Sequence, residues 1–374
     1  MKLNPIAYAI IAAGLVGPTF AAYSGHHVAH KSSCGMTSGM SHVQSVIAGN
    51  SYNSGVDSSV CWQDRVRFSG TLEAAYRNVK AGTDSDKSFA LNQAILGVDA
   101  KLNSAWSAKA TFREGFAAAP IDYSDFSLNT NLNNGWSVPE AYVTYSDPSN
   151  SPLFMKIGRG FVPFGHYSNP FEFDPTIVQS LSQINEDYVQ AGVASSAGWN
   201  ASVAGWTSEV ATNSPWRYSA NLGFDHSVNG LGMHLNASYL SSIAELYNGN
   251  SLYSLPLTAS DVRDSAWQAS VSTDIRGFDV AVGYFNVNTA DTSSAWSMHA
   301  GYAMNNAGYS HKISADYERV NTALSSDIKG RWSAEYALGL AKNIDASLKY
   351  SRFTRRDAAF DAPRMWTVSL VGKF

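Results

Sequence analysis

The stretch that decides the fold is the carboxy-terminal run Arg364-Met-Trp-Thr-Val-Ser-Leu-Val-Gly-Lys-Phe374. In an extended strand, successive side chains point to opposite faces. One face of this run is apolar and carries Trp366, Val368, Leu370 and Phe374. The other face is polar and carries Thr367, Ser369 and Lys373. This alternation is typical of a strand whose outer face meets lipid and whose inner face meets water.

The same alternation begins at Arg65 and continues along the chain. Its apolar rows lie within 66–76, 106–112, 218–224, 233–239, 278–284, 296–302, 313–317, 332–340 and 346–350. Weaker strands are expected near 89–102, 153–160 and 188–195. Each segment is close to the length of a tilted membrane-spanning strand, which is about 9–11 residues. The pattern predicts an all-β fold.

The connections between these segments alternate between short and long. We expect short turns at 103–105, 147–152, 196–198, 227–231, 275–277, 305–307 and 341–343. We expect long loops at 78–88, 118–137, 161–187, 210–216, 242–264, 287–294, 319–329 and 354–363. Seven turns and eight loops imply a transmembrane antiparallel barrel of sixteen strands, with fourteen as the alternative, and a wet lumen.

Composition agrees with a barrel and argues against a helical membrane protein. The chain is 45% hydrophobic and 12% aromatic but only 15% charged, whereas proteins average about 25% charged residues. The apolar run 6–16 is too short to span a bilayer as a helix, and only helices and closed barrels can span one. A secreted soluble β-protein is the alternative that composition alone allows. The net charge of −4 and the lack of a basic cluster predict no nucleic-acid partner.

The amino-terminal residues divide into an export signal and an extension. Residues 1–21 have a positive charge, an apolar run and small residues at the end, which is typical of a signal peptide cleaved after Ala21, or alternatively after Ala22. Residues 22–64 form a His-, Ser- and Gly-rich periplasmic extension, and residues 65–374 the barrel. In an exported chain, two cysteines favour one disulfide, here Cys34 with Cys61. Four histidines of the extension are candidate metal ligands, the alternative being a polar disordered arm: His26, His27, His30 and His42.

Charged side chains on the polar faces are expected to line the lumen. The acidic ones are Glu73, Glu140, Asp316, Glu318 and Glu335. The basic ones, which would attract an anionic solute, are Arg65, Arg67, Lys109, Arg113 and Arg217, with Arg159 added near an expected glycine irregularity. The alternative is that these side chains are the ordinary wet lining of a channel. No nucleophile elbow or metalloprotease motif is present, so we expect no enzyme and no cofactor.

The run Ile157-Gly-Arg-Gly-Phe-Val-Pro-Phe-Gly165 ends a strand and opens the longest loop. Pro163 cannot continue a central strand, and the glycines allow a sharp turn. A short helix is expected at 176–184. The loop either folds inward and narrows the channel or faces the solvent.

This run, together with Asp174-Pro175 and Asn185–Gly192, resembles the LbtU family of siderophore porins. The terminal Phe374 also resembles the assembly signal of bacterial outer-membrane barrels. These resemblances imply a plug-less barrel in the outer membrane of a Gram-negative bacterium, with outer-membrane lipid and the barrel assembly machinery as partners. Phosphate-selective and other anion porins share a similar glycine-proline element. A plugged 22-stranded transporter would need a longer chain.

The leading hypothesis is therefore a channel that takes up a ferric siderophore or a similar anionic iron chelate. The alternatives are a general or anion-selective porin and a structural or adhesive barrel. Aromatic loop residues would offer stacking surface to the chelate: Tyr123, Phe126, Phe171, Phe173, Tyr247 and Tyr253.

Overall fold

The computed structural model describes residues 60–62, 65–114, 136–147, 150–165, 176–207, 216–228, 230–243, 264–288, 293–306, 308–321, 328–355 and 362–374. Several predictions concern residues outside these ranges: the signal peptide, the histidine cluster, the Cys34 disulfide and the six aromatic loop residues. They remain predictions.

Seventeen strands and one short helix make up the described chain. The strands are β1 (Val60–Trp62), β2 (Val66–Ala81), β3 (Asp84–Lys101), β4 (Trp106–Glu114), β5 (Trp136–Ser146), β6 (Leu153–Phe161), β7 (Asn185–Ala194), β8 (Trp199–Thr207), β9 (Trp216–Val228), β10 (Leu231–Leu240), β11 (Ala266–Ile275), β12 (Phe278–Val287), β13 (Ser293–Asn306), β14 (Tyr309–Asn321), β15 (Ile328–Ala341), β16 (Ile344–Arg355) and β17 (Arg364–Lys373). Helix α1 is Ile177–Ser182. In the part of the chain that the structure describes, no helix is long and apolar enough to cross a membrane.

Strands β2 to β17 form one closed antiparallel barrel. Each strand pairs with the next along the chain, and β17 pairs with β2 to complete the ring. The strand β1 pairs with the start of β2, opposite Val66–Phe68. Sixteen strands are confirmed, and the fourteen-strand alternative is wrong because the three weak segments are the full strands β3, β6 and β7.

The seven short turns lie where the sequence predicts them, between β3 and β4 and at each second connection thereafter. The turn between β11 and β12 is the pair Arg276-Gly277, both with positive φ, as tight hairpins require. Short turns face the periplasm in such barrels. By this rule the long loops face the outside, and the start of β2 and the end of β17 lie on the periplasmic side.

The first predicted long loop, 78–88, is wrong. Strands β2 and β3 continue through it as a ladder that ends with Ala81 opposite Asp84, so only residues 82–83 form the connection. The outward face of this ladder is polar, with Asn78, Lys80 and Lys87 on it, and Val79 on the inward face is buried. The usual pattern of apolar outward and polar inward residues is therefore absent here, and alternation of polarity could not reveal these strands.

The alternation of faces is as predicted in β17. Trp366, Val368 and Leu370 are about half exposed on the outer wall, where lipid would cover them, whereas Thr367 and Ser369 are buried inside. Neighbouring strands follow the same register, so Leu370 lies opposite Ala346 and Ala74. Outer aromatic rings meet between strands, as Tyr350 and Trp366 do at a centroid distance of 4.7 Å.

Candidate functional site: the lumen and its inward loop

The loop between β6 and β7 enters the barrel instead of facing the solvent. Val162 and Phe164 follow β6 directly and are almost fully buried. The backbone N–H of Gly165 donates to Ser238 Oγ on β10 at 2.7 Å. The ring of Phe164 meets Phe285 on β12 edge to face, at a centroid distance of 6.2 Å. The loop thus crosses the lumen from β6 towards the wall formed by β10–β12.

Helix α1 is the second part of this loop and lies against the far wall of the barrel. Its amino terminus is capped by Thr176, whose Oγ1 accepts from the Gln179 N–H at 3.1 Å. The helix packs against β12, β13 and β14, and its Val178 is almost fully buried. The short helix predicted at 176–184 is confirmed. Of the two predicted loop positions, the inward one is correct for the residues described.

An apolar layer surrounds the inward loop near the outer end of the barrel. It is one continuous cluster in which the loop residues meet inward side chains from strands on both sides of the lumen. The loop contributes Val162, Phe164, Val178 and Ile184, and the wall contributes Val79, Trp206, Leu240, Ile243, Ala266, Phe285, Val287, Ala295, Val320, Phe353 and Met365. The prediction of a uniformly wet lumen is therefore incomplete, because its outer part is apolar.

Beneath the apolar layer, the wall of β4–β7 carries a cationic group held between aromatic rings. The Lys156 ammonium lies 3.8 Å from the ring centre of Tyr142 and 5.2 Å from that of Tyr188. The Tyr188 hydroxyl donates to the Phe161 carbonyl at 2.7 Å, which fixes that ring at the root of the inward loop. Cation–π contacts of this kind stabilise a desolvated ammonium by about 2 kcal/mol.

The Lys156 ammonium is not neutralised by a neighbouring carboxylate among the described residues. Among described residues, none forms an ion pair or hydrogen bond with its ammonium. Glu140 acts on it from a greater distance. That carboxylate already accepts from Thr111 Oγ1 at 3.0 Å and lies 3.5 Å from the Lys109 ammonium. The positive charge of Lys156 is therefore less compensated than that of Lys109.

The opposite wall, from β12 to β17 and on to β2, holds compensated charges. Arg331 Nε donates to Glu318 Oε2 at 2.6 Å, and both side chains are almost completely buried. Ser369 Oγ donates to Glu73 Oε1 at 3.0 Å, and the hydroxyls of Ser333 and Ser351 are 2.9 Å apart. His299 contacts Asp279, which also lies 3.9 Å from the Lys312 ammonium. Ion pairs rather than a net basic surface line this side.

Most of the predicted lumen residues do lie on inner faces. Arg67 pairs with Asp99 at 3.5 Å, and inward positions are also occupied by Lys109, Arg113, Arg217, Glu73, Glu140, Asp316, Glu318 and Glu335. Arg65 precedes β2 at the periplasmic end and is exposed. The structure does not test their predicted role in attracting an anion.

The lumen placement of Arg159 is wrong. Its side chain is 51% exposed on the outer wall, 3.8 Å from Asp187 on β7. The physical reason is regular alternation: Leu153, Met155, Ile157 and Arg159 share the outer face of β6. The inward basic residue of this strand is Lys156. The sequence analysis did not name it, although the same alternation places its side chain on the other face of the strand from Met155.

No group of three potential metal ligands occurs among the described residues. The four candidate histidines lie outside that part of the chain, so the metal hypothesis stays a prediction.

Comparison with known proteins finds distant relatives by sequence and solved structures with a similar fold. No family model matches the chain. Two Legionella pneumophila proteins, UPF0422 protein lpg2959 of strain Philadelphia 1 and UPF0422 protein lpl2888 of strain Lens, are 27% and 26% identical over 189 residues. The matched region covers 48% of this chain, and the chain spans about a third, 34%, of the length of these curated relatives.

Solved outer-membrane porins share the architecture at low sequence identity. Pseudomonas putida OprB matches with a TM-score of 0.61 at 10% identity, covering 83% of this chain and 94% of OprB. Salmonella typhi OmpF, in complex with daunomycin, gives 0.58 at 12% identity, with coverages of 85% and 100%. The anion-selective porin from Comamonas acidovorans gives 0.56 at 11% identity, with coverages of 83% and 99%. The chain thus has the barrel fold of these porins, with sixteen strands.

Proposed function

We propose that the protein is an outer-membrane channel for small anionic solutes, and that an anionic iron chelate such as a ferric siderophore is its specific cargo. The observation that carries the anionic preference is Lys156, a buried inward ammonium between two tyrosine rings with no described carboxylate in ion-pair distance. An under-compensated charge in a narrow, low-dielectric passage attracts counter-ions.

The position of the inward loop supports a channel that selects its solute, rather than one through which any small solute diffuses. An apolar layer through which the chain crosses the lumen raises the free energy of a small hydrated ion, because polar groups lose water there. A larger chelate that buries apolar or aromatic surface against Phe164 and Phe285 would offset that loss. The resemblance of 157–192 to siderophore porins points to the same class of cargo.

The experiment for the anionic preference is a reversal-potential measurement in planar bilayers under a KCl gradient. Lys156→Gln should lower the ratio of chloride to potassium permeability severalfold. Arg159→Gln is the matched control, because Arg159 is a basic residue three positions away on the same strand that faces outward beside Asp187. Equal ratios in the wild type and Lys156→Gln would refute the assignment.

The experiment for the cargo uses the same bilayers with ferric citrate, an anionic iron chelate, added to one side. Block of the chloride current by ferric citrate, and not by equal iron-free citrate, supports a chelate channel. Equal block by both compounds would favour a general or anion-selective porin, the second candidate. The compensated ion pairs of the wall from β12 to β17 favour its general form.

A further inference from the structure

A row of three basic residues crosses the outer wall at the seam where the barrel closes. Arg352 on β16 lies directly opposite Arg364 on β17, and Arg364 lies directly opposite Lys80 on β2. All three side chains are exposed. Arg364 begins its strand, and Lys80 and Arg352 lie near the ends of theirs, so the row is at the outer rim. We call it the seam row.

Strand pairing brings these three charges close together. Side chains directly opposite each other on neighbouring antiparallel strands have Cβ atoms about 4.5–5.5 Å apart. Like charges at such positions destabilise the sheet. No described residue forms an ion pair or hydrogen bond with any of the three. The seam row therefore lacks a described counter-charge, unlike the outward Arg159, which has Asp187 beside it.

An aromatic belt lies immediately beneath the seam row. Tyr350 and Trp366 each lie two residues below the arginine of their strand and contact each other at 4.7 Å. Trp332, directly opposite Arg352, meets Tyr350 at 5.2 Å. Trp and Tyr gather where the hydrocarbon ends and the polar headgroups begin. The seam row thus lies at headgroup depth.

We infer that the seam row binds the phosphate groups of phosphorylated lipids in the outer leaflet. Arginine and lysine at this depth can donate charge-assisted hydrogen bonds to phosphate oxygens, and arginine can do so bidentately. The aromatic belt would lie against the acyl chains of the same lipid. The bound phosphates supply a counter-charge, which no described residue gives the three side chains, and hold the β16–β17–β2 seam in the membrane. This inference is independent of which solute the lumen passes.

The test measures binding of bisphosphorylated lipid A to the full chain in detergent, by native mass spectrometry and by the rise in Tm. Each basic residue near a charged membrane surface contributes about 1 kcal/mol, which corresponds to about a fivefold change in Kd per charge removed. Arg364→Gln should weaken binding by about fivefold, and the variant Lys80→Gln/Arg352→Gln/Arg364→Gln by about a hundredfold. Arg159→Gln, which removes an outward arginine elsewhere on the rim, should bind as the wild type does.

Two further probes decide the source of the phosphate. Dephosphorylated lipid A should give little binding, and inorganic phosphate should give no comparable rise in Tm. Equal binding of phosphorylated and dephosphorylated lipid, an equal effect of inorganic phosphate, or unchanged binding by Arg364→Gln would each overturn the inference. The single variant keeps the test usable if the triple variant does not fold.

Discussion

Arg331 and Glu318 illustrate what individual side chains do in this barrel. Their ion pair is 2.6 Å long and almost wholly buried. A buried pair contributes little against an apolar replacement of both partners, but removal of one partner leaves an uncompensated buried charge. The pair therefore constrains the wall mainly because neither residue tolerates the loss of the other.

Arg331→Met should lower the free energy of unfolding by about 3–5 kcal/mol. The double variant Arg331→Met/Glu318→Leu should lose much less, since both charges of the pair are removed together. Urea unfolding in lipid vesicles measures both. A single variant as stable as the wild type would contradict the burial of the pair.

Gly70 and Phe374 form the second instructive contact at this scale. Their backbones exchange two hydrogen bonds, of 2.9 and 3.0 Å, at the seam between β2 and the end of the chain. The Phe374 ring covers Gly70, where an added Cβ would lie 2.2 Å from Cζ of the ring. The terminal aromatic residue thus has a structural partner, while its role as an assembly signal remains a prediction.

Gly70→Val should displace the Phe374 ring and reduce the yield of folded barrel. Gly372→Val is the control, because the nearest atom to a Cβ there is Asn343 O at 4.0 Å. Refolding into detergent, followed by the heat-dependent shift in gel mobility, gives the folded fraction. Equal yields for the two variants would show that the ring contact does not matter for closure.

At the scale of elements, the inward loop contributes to the apolar layer in the lumen. Phe164 anchors the loop against Phe285 in the apolar layer. Phe164→Ala should cost about 3–5 kcal/mol of packing free energy, as large-to-small substitutions of buried Phe do. A loosened loop should raise the single-channel conductance. Phe278→Ala is the control, since Phe278 is on the outer face of β12 and 54% exposed. Unchanged conductance in Phe164→Ala would mean that the loop does not restrict the passage.

The elements differ in how far sequence could predict them. A period of two is a local signal, so it located the strands, the short turns and the outer faces, including that of β17. It failed for residues 78–88, where the outward face is polar. It also missed the apolar layer, because Val79, Trp206, Leu240 and Phe353 come from distant strands and each looks like a single break in its own pattern. The crossing of the lumen by the loop depends on contacts between residues about 70 positions apart, such as Gly165 with Ser238.

For most residues of the candidate site, the face of the strand could be predicted from the sequence, whereas the ion-pair partner could not. Alternation correctly assigned Arg67, Lys109 and Glu140 to inner faces. It could not show that Asp99 and Glu140 compensate the two basic residues, because partners on neighbouring strands depend on register. The glycines of 157–165 suggested an irregularity at Arg159 that the strand does not have there. The regular alternation of β6 would have given the correct face of Arg159 and also that of Lys156, which the sequence analysis did not name.

At the scale of the whole molecule, we propose that the closed barrel, the inward loop and the under-compensated ammonium of Lys156 together form a selective passage. The measurement that tests this account most directly is uptake of radiolabelled ferric citrate by cells lacking the gene. The cells would be complemented with the wild type, Lys156→Gln or Arg159→Gln, with a small neutral sugar as the reference solute. We predict that the wild type and Arg159→Gln restore ferric citrate uptake, that Lys156→Gln restores severalfold less, and that sugar uptake is equal in all three. Equal restoration of ferric citrate uptake by Lys156→Gln and the wild type would contradict the account.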